Sequence, residues 1–161
     1  MTMLPTERFT NRVENYSKYR PGYPDGLVWK LESAGLRPGA QVVDVACGTG
    51  ISTELFLRHG YRVMGVEPNA AMRSAAEARG YRVKAGKGEA TGLPGGYADL
   101  TFCAQAFHWV DAMAARREFL RITRPGGLIA IVWNMRRKTA TPFLEELERL
   151  LLDGSPEYAA K

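Results

Sequence analysis

Between Asp44 and Gly50 this chain reads Asp-Val-Ala-Cys-Gly-Thr-Gly: a carboxylate inside a short apolar run, then two glycines one residue apart. Glycine at the end of a strand lets the backbone approach a ligand and adopt dihedral angles closed to other residues. A second carboxylate, Glu67, ends another apolar run 17 residues beyond Gly50. A bare turn followed by an acid is chemistry for gripping a nucleoside, with amides near the glycines and the carboxylate on sugar hydroxyls. Glu67 also has a plainer reading, a surface carboxylate at a strand end. The third candidate is His108, at the end of the fourth apolar run among the predicted wall residues, where an imidazole could take a proton from a hydroxyl. In the alternative reading His108 and Trp109 only shape a wall.

These residues must be positioned by alternating strands and helices. Asp25 is suited to cap a helix through Leu27, Val28 and Leu31, stopped by Gly35. Gln41 to Val45 reads as the first strand, Ile51 to His59 as a helix, Tyr61 to Glu67 as strand two, and Asn69 as the cap of a helix reaching Arg79. Tyr81 to Gly86 follows as strand three, then a Gly/Pro-rich loop to Gly96, then strand four from Asp99 to Phe107. Asp111 caps a helix to Thr123, Arg124 to Gly127 form a turn, and Leu128 to Asn134 are strand five. Thr141-Pro142 starts a last helix whose apolar stripe is Phe143, Leu144, Leu147, Leu150 and Leu151. Strands separated by helices of about ten residues imply right-handed crossovers and a parallel sheet covered on both faces. Such sheets bind ligands beyond the carboxyl ends of their strands, where every motif named above falls.

Two ligand classes suit this arrangement. A dinucleotide calls for Gly-x-Gly-x-x-Gly, but Gly48-Thr49-Gly50 is followed by Ile51, Ser52 and Thr53. The third glycine is absent, and Asp44 would face a pyrophosphate with like charge. S-adenosylmethionine has no phosphate and carries a sulfonium and an ammonium, which Asp44 would attract. Glu67 serves a ribose in both classes and does not separate them.

In VVDVACGTG, GVEPNAAM and GKGEATGLPGGYADLTFCAQAFHWVD, the chain resembles the class I S-adenosylmethionine-dependent methyltransferases, specifically their small-molecule (methyltransferase type 11-like) branch. The resemblance runs from about Tyr16 to Asn134. It implies an α/β, Rossmann-like doubly wound sheet, mainly parallel, of five strands in the order 3-2-1-4-5 with helices on both faces. It implies S-adenosyl-L-methionine as cofactor and S-adenosyl-L-homocysteine as product. Ala46, Cys47, Gly48, Thr49 and Gly50 would then form the cofactor turn, with Asp44 before it in the strand, orienting the loop and attracting the cofactor's cationic end. Glu67 would hold the ribose, Pro68 beside it would also touch the cofactor, and Met72 would lie near the adenine. The backbone of Gly88 and Glu89 would meet the adenine edge, while Gln105, Ala106 and Phe107 would flank the methionine portion. Many relatives have an aspartate where Lys87 stands, and a lysine cannot accept the adenine amino group's hydrogen bond. Many also have glycine where Ala46 stands. In YSKYRPGYP, Tyr19 and Arg20 are candidates for the cofactor carboxylate, with a surface turn as the plainer reading.

The 161 residues suffice for one domain with a real core: a cap segment and first helix to about residue 35, a core to about 134, and a C-terminal helix. The 22 Lys and Arg against 17 Asp and Glu give +5, spread widely; with no recognised binding module beside it, the excess reads as solvated faces and not as a nucleic-acid footprint. Two cysteines, Cys47 and Cys103, make neither a disulfide framework nor a metal site. The N-terminus lacks a signal peptide's apolar core, and the run LIAIVW is too short to span a membrane, so a cytoplasmic location is expected. Relatives of this branch continue into strands six and seven, which are lacking here. Strand five would therefore be an apolar edge, inviting a homodimer unless the last helix covers it. The expected activity is methyl transfer to a small-molecule oxygen, carboxylate or hydroxyl. The alternatives are a weak or inactive cofactor-binding protein of the same fold and, third, an NAD-type oxidoreductase.

Overall fold

Strand β1, Gln41–Val45, sits at the centre because both of its faces are needed. Val42 joins a core with Leu100, Phe102, Leu55 and Phe56, while Val43 and Val45 face the opposite core with Val66, Cys103 and Phe119. A strand covered on both sides loses the apolar–polar alternation of a half-exposed one, which is the mark of a buried parallel sheet. The structure, a computed structural model, describes residues 20–135, 137–155 and 158. Around β1 the chain forms α1 (Gly26–Ser33), α2 (Ile51–Arg58), β2 (Arg62–Val66), α3 (Ala70–Ala78), β3 (Val83–Lys84), β4 (Ala98–Ala104), α4 (Ala112–Ile122), β5 (Thr123–Val132) and α5 (Pro142–Gly154).

The five strands lie in the order β3-β2-β1-β4-β5, every pair parallel, as the sequence predicts. Order reverses at β1, whose neighbours are β2 and β4, so a crevice opens at their carboxyl ends. Three caps form as expected: the Asn69 side chain accepts from the Met72 N–H at 3.0 Å, that of Asp111 from the Ala114 N–H at 2.7 Å and that of Thr141 from the Leu144 N–H at 3.3 Å. Asp25 does not cap. Its own backbone is already helical (φ −58°, ψ −29°), and its carboxylate instead meets His59 at 2.9 Å beyond the end of α2.

Three boundaries differ from expectation. Strand β4 ends at Ala104 because Gln105 turns left-handed (φ 59°), after which Phe107–Trp109 make a 3-10 turn. Strand β5 starts at Thr123, directly after α4, so Arg124–Gly127 is no separate turn but a bulge against β4: Ala98 pairs with Thr123 and Leu100 with Leu128. Gly127 is tied to this bulge, since a Cβ there would lie 2.9 Å from the Asp99 carbonyl oxygen. Strand β3 shrinks to Val83–Lys84. Helix α5 buries none of its residues, with Phe143 72% and Leu150 68% exposed, and β5 is one of the two outer strands of the sheet. No helix among the described residues is long and apolar enough to cross a membrane.

Candidate functional site

The turn after β1 is built from its side chains outward. Asp44 shares a face of β1 with Val42, so it points under the start of α2, where the helix N-terminus favours negative charge. Its Oδ2 accepts from the Ser52 and Thr53 hydroxyls, each at 2.7 Å, while Oδ1 has no partner among the described residues. Complete burial pushes the carboxyl up to about 6, against the two hydroxyl bonds that favour its ionised form. Asp44 therefore fixes the turn from behind.

The turn itself needs left-handed backbone at three places: Ala46 (φ 55°), Gly48 (φ 58°) and Gly50 (φ 88°). At Gly50 a side chain would also strike the Tyr81 ring, so that glycine is required twice over. Gly48 has open space where its Cβ would be, and its N–H donates to Glu67 Oε2 at 2.9 Å. The Asn69 N–H donates to Glu67 Oε1 at 2.8 Å. Glu67, 7% exposed, thus stands on two backbone donors; burial raises its pKa while those amides and Arg73 pull it down. A carboxylate offers about four acceptor positions, so two remain.

Above this floor lies a cleft of about 400 Å³, within the roughly 300–1,000 Å³ range of small-molecule sites. It brings together most of the residues named from sequence: Arg20, Ala46, Gly48, Glu67, Pro68, Met72, Gly88, Glu89, Gln105, Ala106 and His108. A side cavity of about 40 Å³ adds Cys47, whose thiol burial pushes well up. Four expected contacts are not brought to the cleft wall. Asp44 and Thr49 are fully buried behind the turn, Gly50 opens α2, and Phe107 packs on Phe119 with ring centroids 6.0 Å apart. Phe107 turns away because left-handed Gln105 ends the strand alternation that would have aimed it at the cleft. Tyr19 lies outside the described residues.

The cleft also has members that sequence reading did not assign to the cofactor: Asn69, Ala104 and Val110, with Lys87 and Trp109 on its wall. The cap signal at Asn69 was legible, and its position two residues after Glu67 places it beside the acid. His108 is exposed, makes no hydrogen bond among the described residues, and lies against Trp109 with ring centroids 4.6 Å apart. The basic residues are partly engaged: Arg121 pairs with Glu118, and Arg124 with Asp99.

A family model described as a methyltransferase domain matches residues 43–131, more than half of the chain. The chain is 34% identical over 151 residues to an uncharacterized methyltransferase of Mycobacterium tuberculosis, covering 92% of this chain and 60% of that one. It is 37% identical over 102 residues to the demethylmenaquinone methyltransferase of Mycolicibacterium paratuberculosis, covering 60% of this chain and 43% of that one. Among solved structures, a candidate type II methyltransferase from Anaeromyxobacter dehalogenans superposes with a TM-score of 0.71 at 27% identity, over 87% of this chain and 62% of that one. The fold, the glycine turn and these likenesses agree: the chain belongs to the methyltransferase domain family. It spans about 60% of the length of the mycobacterial relative.

Proposed function

We propose that this domain binds S-adenosyl-L-methionine and transfers its methyl group to an oxygen nucleophile of a small molecule. One observation carries the reading. Glu67 is a buried carboxylate at the cleft floor, held by one backbone N–H on each oxygen, with two acceptor positions left over for a vicinal diol. A ribose presents that pair of donors. The fit extends along the cleft: the backbone of Gly88 and Glu89 suits a base edge, and Arg20 and Gln105 suit the carboxylate and ammonium of an amino acid.

The dinucleotide alternative fits the same residues poorly. Thr53 stands where the third glycine would be, buried, with its hydroxyl committed to Asp44. A pyrophosphate at the start of α2 would approach that carboxylate, whereas a sulfonium nucleoside brings positive charge to the same turn.

When bound, the cofactor would supply an electrophilic methyl; the acceptor would bond to its carbon in line as the carbon–sulfur bond breaks and the thioether leaves. The chain's part is orientation: Glu67 fixes the sugar, Gly48 leaves the turn open where a side chain would stand, and Gln105 lines the wall. For a hydroxyl acceptor, His108 takes the proton; for a carboxylate acceptor no base is needed. The mycobacterial relative named for demethylmenaquinone supports a small-molecule acceptor in general and does not choose the atom.

The test is calorimetric titration with S-adenosylhomocysteine and with NAD in parallel, followed by methyl transfer to panels of carboxylic acids and hydroxyl compounds. Binding of the first and not the second, with product from one panel, is the expected result. NAD binding alone would overturn the proposal.

A further inference from the structure

The segment joining β3 to β4 supplies Gly88 and Glu89 to the cleft wall, and the one β-bridge it makes among the described residues, Lys87–Ala90, is internal to the segment. Leu93 anchors it in the core, and its polar anchors lie on α4, away from the cleft. Glu118, 8% exposed, accepts through Oε1 from the Thr91 N–H at 2.8 Å and the Thr91 hydroxyl at 2.5 Å. Arg121, one turn along, donates to both oxygens of that carboxylate at 2.7 Å and to the Leu93 carbonyl, also at 2.7 Å. At the other end of α4, Glu89 Oε1 accepts from the Asp111 N–H at 2.8 Å. Val110 backs Gly88 so closely that a Cβ there would lie 2.9 Å from its Cγ1.

A buried carboxylate is costly unless every oxygen is paired, and removing one partner leaves the other stranded. Here the charge is fully satisfied, with the Arg121 and Thr91 bonds holding Glu118 down at about 2. Its hydrogen bonds run from a rigid helix to a loop rather than to another helix or strand. That use makes sense if the loop's height against the sheet matters.

We infer that Glu118 and Arg121 are positioning residues for the ligand: through Thr91 and Leu93 they set where the Gly88–Glu89 backbone stands in the cleft, without lining it themselves. The ligand half of this inference rests on the nucleoside reading of the cleft; the clamp does not.

Two measurements separate them. In the ligand-free protein, Arg121→Met should speed hydrogen exchange at the Lys87, Ala90 and Thr91 amides roughly tenfold, leaving β1 and β4 amides at wild-type rates. The same variant should bind S-adenosylhomocysteine roughly tenfold more weakly, the scale of one charge-assisted hydrogen bond. Thr91→Val, nearly isosteric, should fall between it and wild type. Glu118→Gln, which keeps an oxygen for the Thr91 N–H, should recover much of the affinity lost in Glu118→Ala. Unchanged loop exchange in Arg121→Met and Thr91→Val would overturn the clamp. A loosened loop with affinity within twofold of wild type would overturn its role in binding. Wild-type protein that fails to bind the nucleoside would remove that role together with the nucleoside reading, while the exchange data would still decide whether the clamp exists.

Discussion

The Gly48 N–H donates to Glu67 Oε2 at 2.9 Å, so the turn after β1 and the acid after β2 are one unit rather than two neighbouring motifs. The bond joins residues 19 positions apart. With the Asn69 N–H on Oε1, it fixes the carboxylate and aims the remaining acceptor positions before any ligand arrives. Preorganisation of this kind lowers what a ligand must spend in ordering its site.

Strain at the turn has a direct consequence. Ala46 is left-handed at φ 55°, a region where a Cβ is disfavoured. Ala46→Gly should keep or raise stability, by up to about 1 kcal/mol, and Ala46→Val should lose about 1–3 kcal/mol. Urea unfolding of the two variants measures both.

At Gly50 the obstacle is a neighbour as well as the dihedral. Gly50→Ala should cost about 1–3 kcal/mol, from the left-handed backbone and the Tyr81 ring together. Adding Tyr81→Ala should relieve the steric part relative to Tyr81→Ala alone, a coupling that a double-mutant cycle reads.

Asp44 and Glu118 give opposite pH dependences. For Asp44 the folded pKa is raised from 3.8 to about 6, so the folded state holds the proton more tightly. Its effect on stability turns unfavourable as pH rises from about 4 to 6 and stays so above. Asp44→Asn removes this, and its stability relative to wild type should climb by roughly 3 kcal/mol across that window. Glu118 is depressed from 4.5 to about 2, so its contribution is full above about pH 4.5 and is lost as pH falls towards 2. Thermal melts of wild type, Asp44→Asn and Glu118→Gln from pH 3 to 8 check both signs.

His108 sits on the cleft wall, beyond hydrogen-bonding reach of any described side chain. His108→Gln should leave affinity for S-adenosylhomocysteine within about twofold. With a hydroxyl acceptor the rate should fall roughly a hundredfold, and with a carboxylate acceptor it should hardly change. Equal losses on both acceptors would assign the imidazole to shaping the wall.

Much of this was legible in the residues because it is local. The apolar runs of β1 and β2, the Asn69 and Asp111 caps and the paired glycines each announce themselves within a few positions. What escaped depends on distant partners. Arg121 falls within the basic excess read as solvated faces, since nothing near it in sequence reveals that Glu118 is buried against Thr91, 27 positions away. Phe107 read as a strand residue facing the site because alternation was carried past Gln105, a non-glycine residue whose left-handed turn only the folded context imposes. The Arg124–Gly127 stretch has the composition of a turn, and the same glycines serve instead to bulge an uninterrupted strand. Asp25 has the composition of a cap, yet its helical backbone and the nearby His59 give it other work.

The most direct test of the whole account is the affinity of Glu67→Ala for S-adenosylhomocysteine, measured by calorimetry beside wild type. Loss of two charge-assisted hydrogen bonds to the ribose predicts weakening of at least about thirtyfold in a variant that still folds. Wild-type affinity in that variant, or none in wild type, would contradict it.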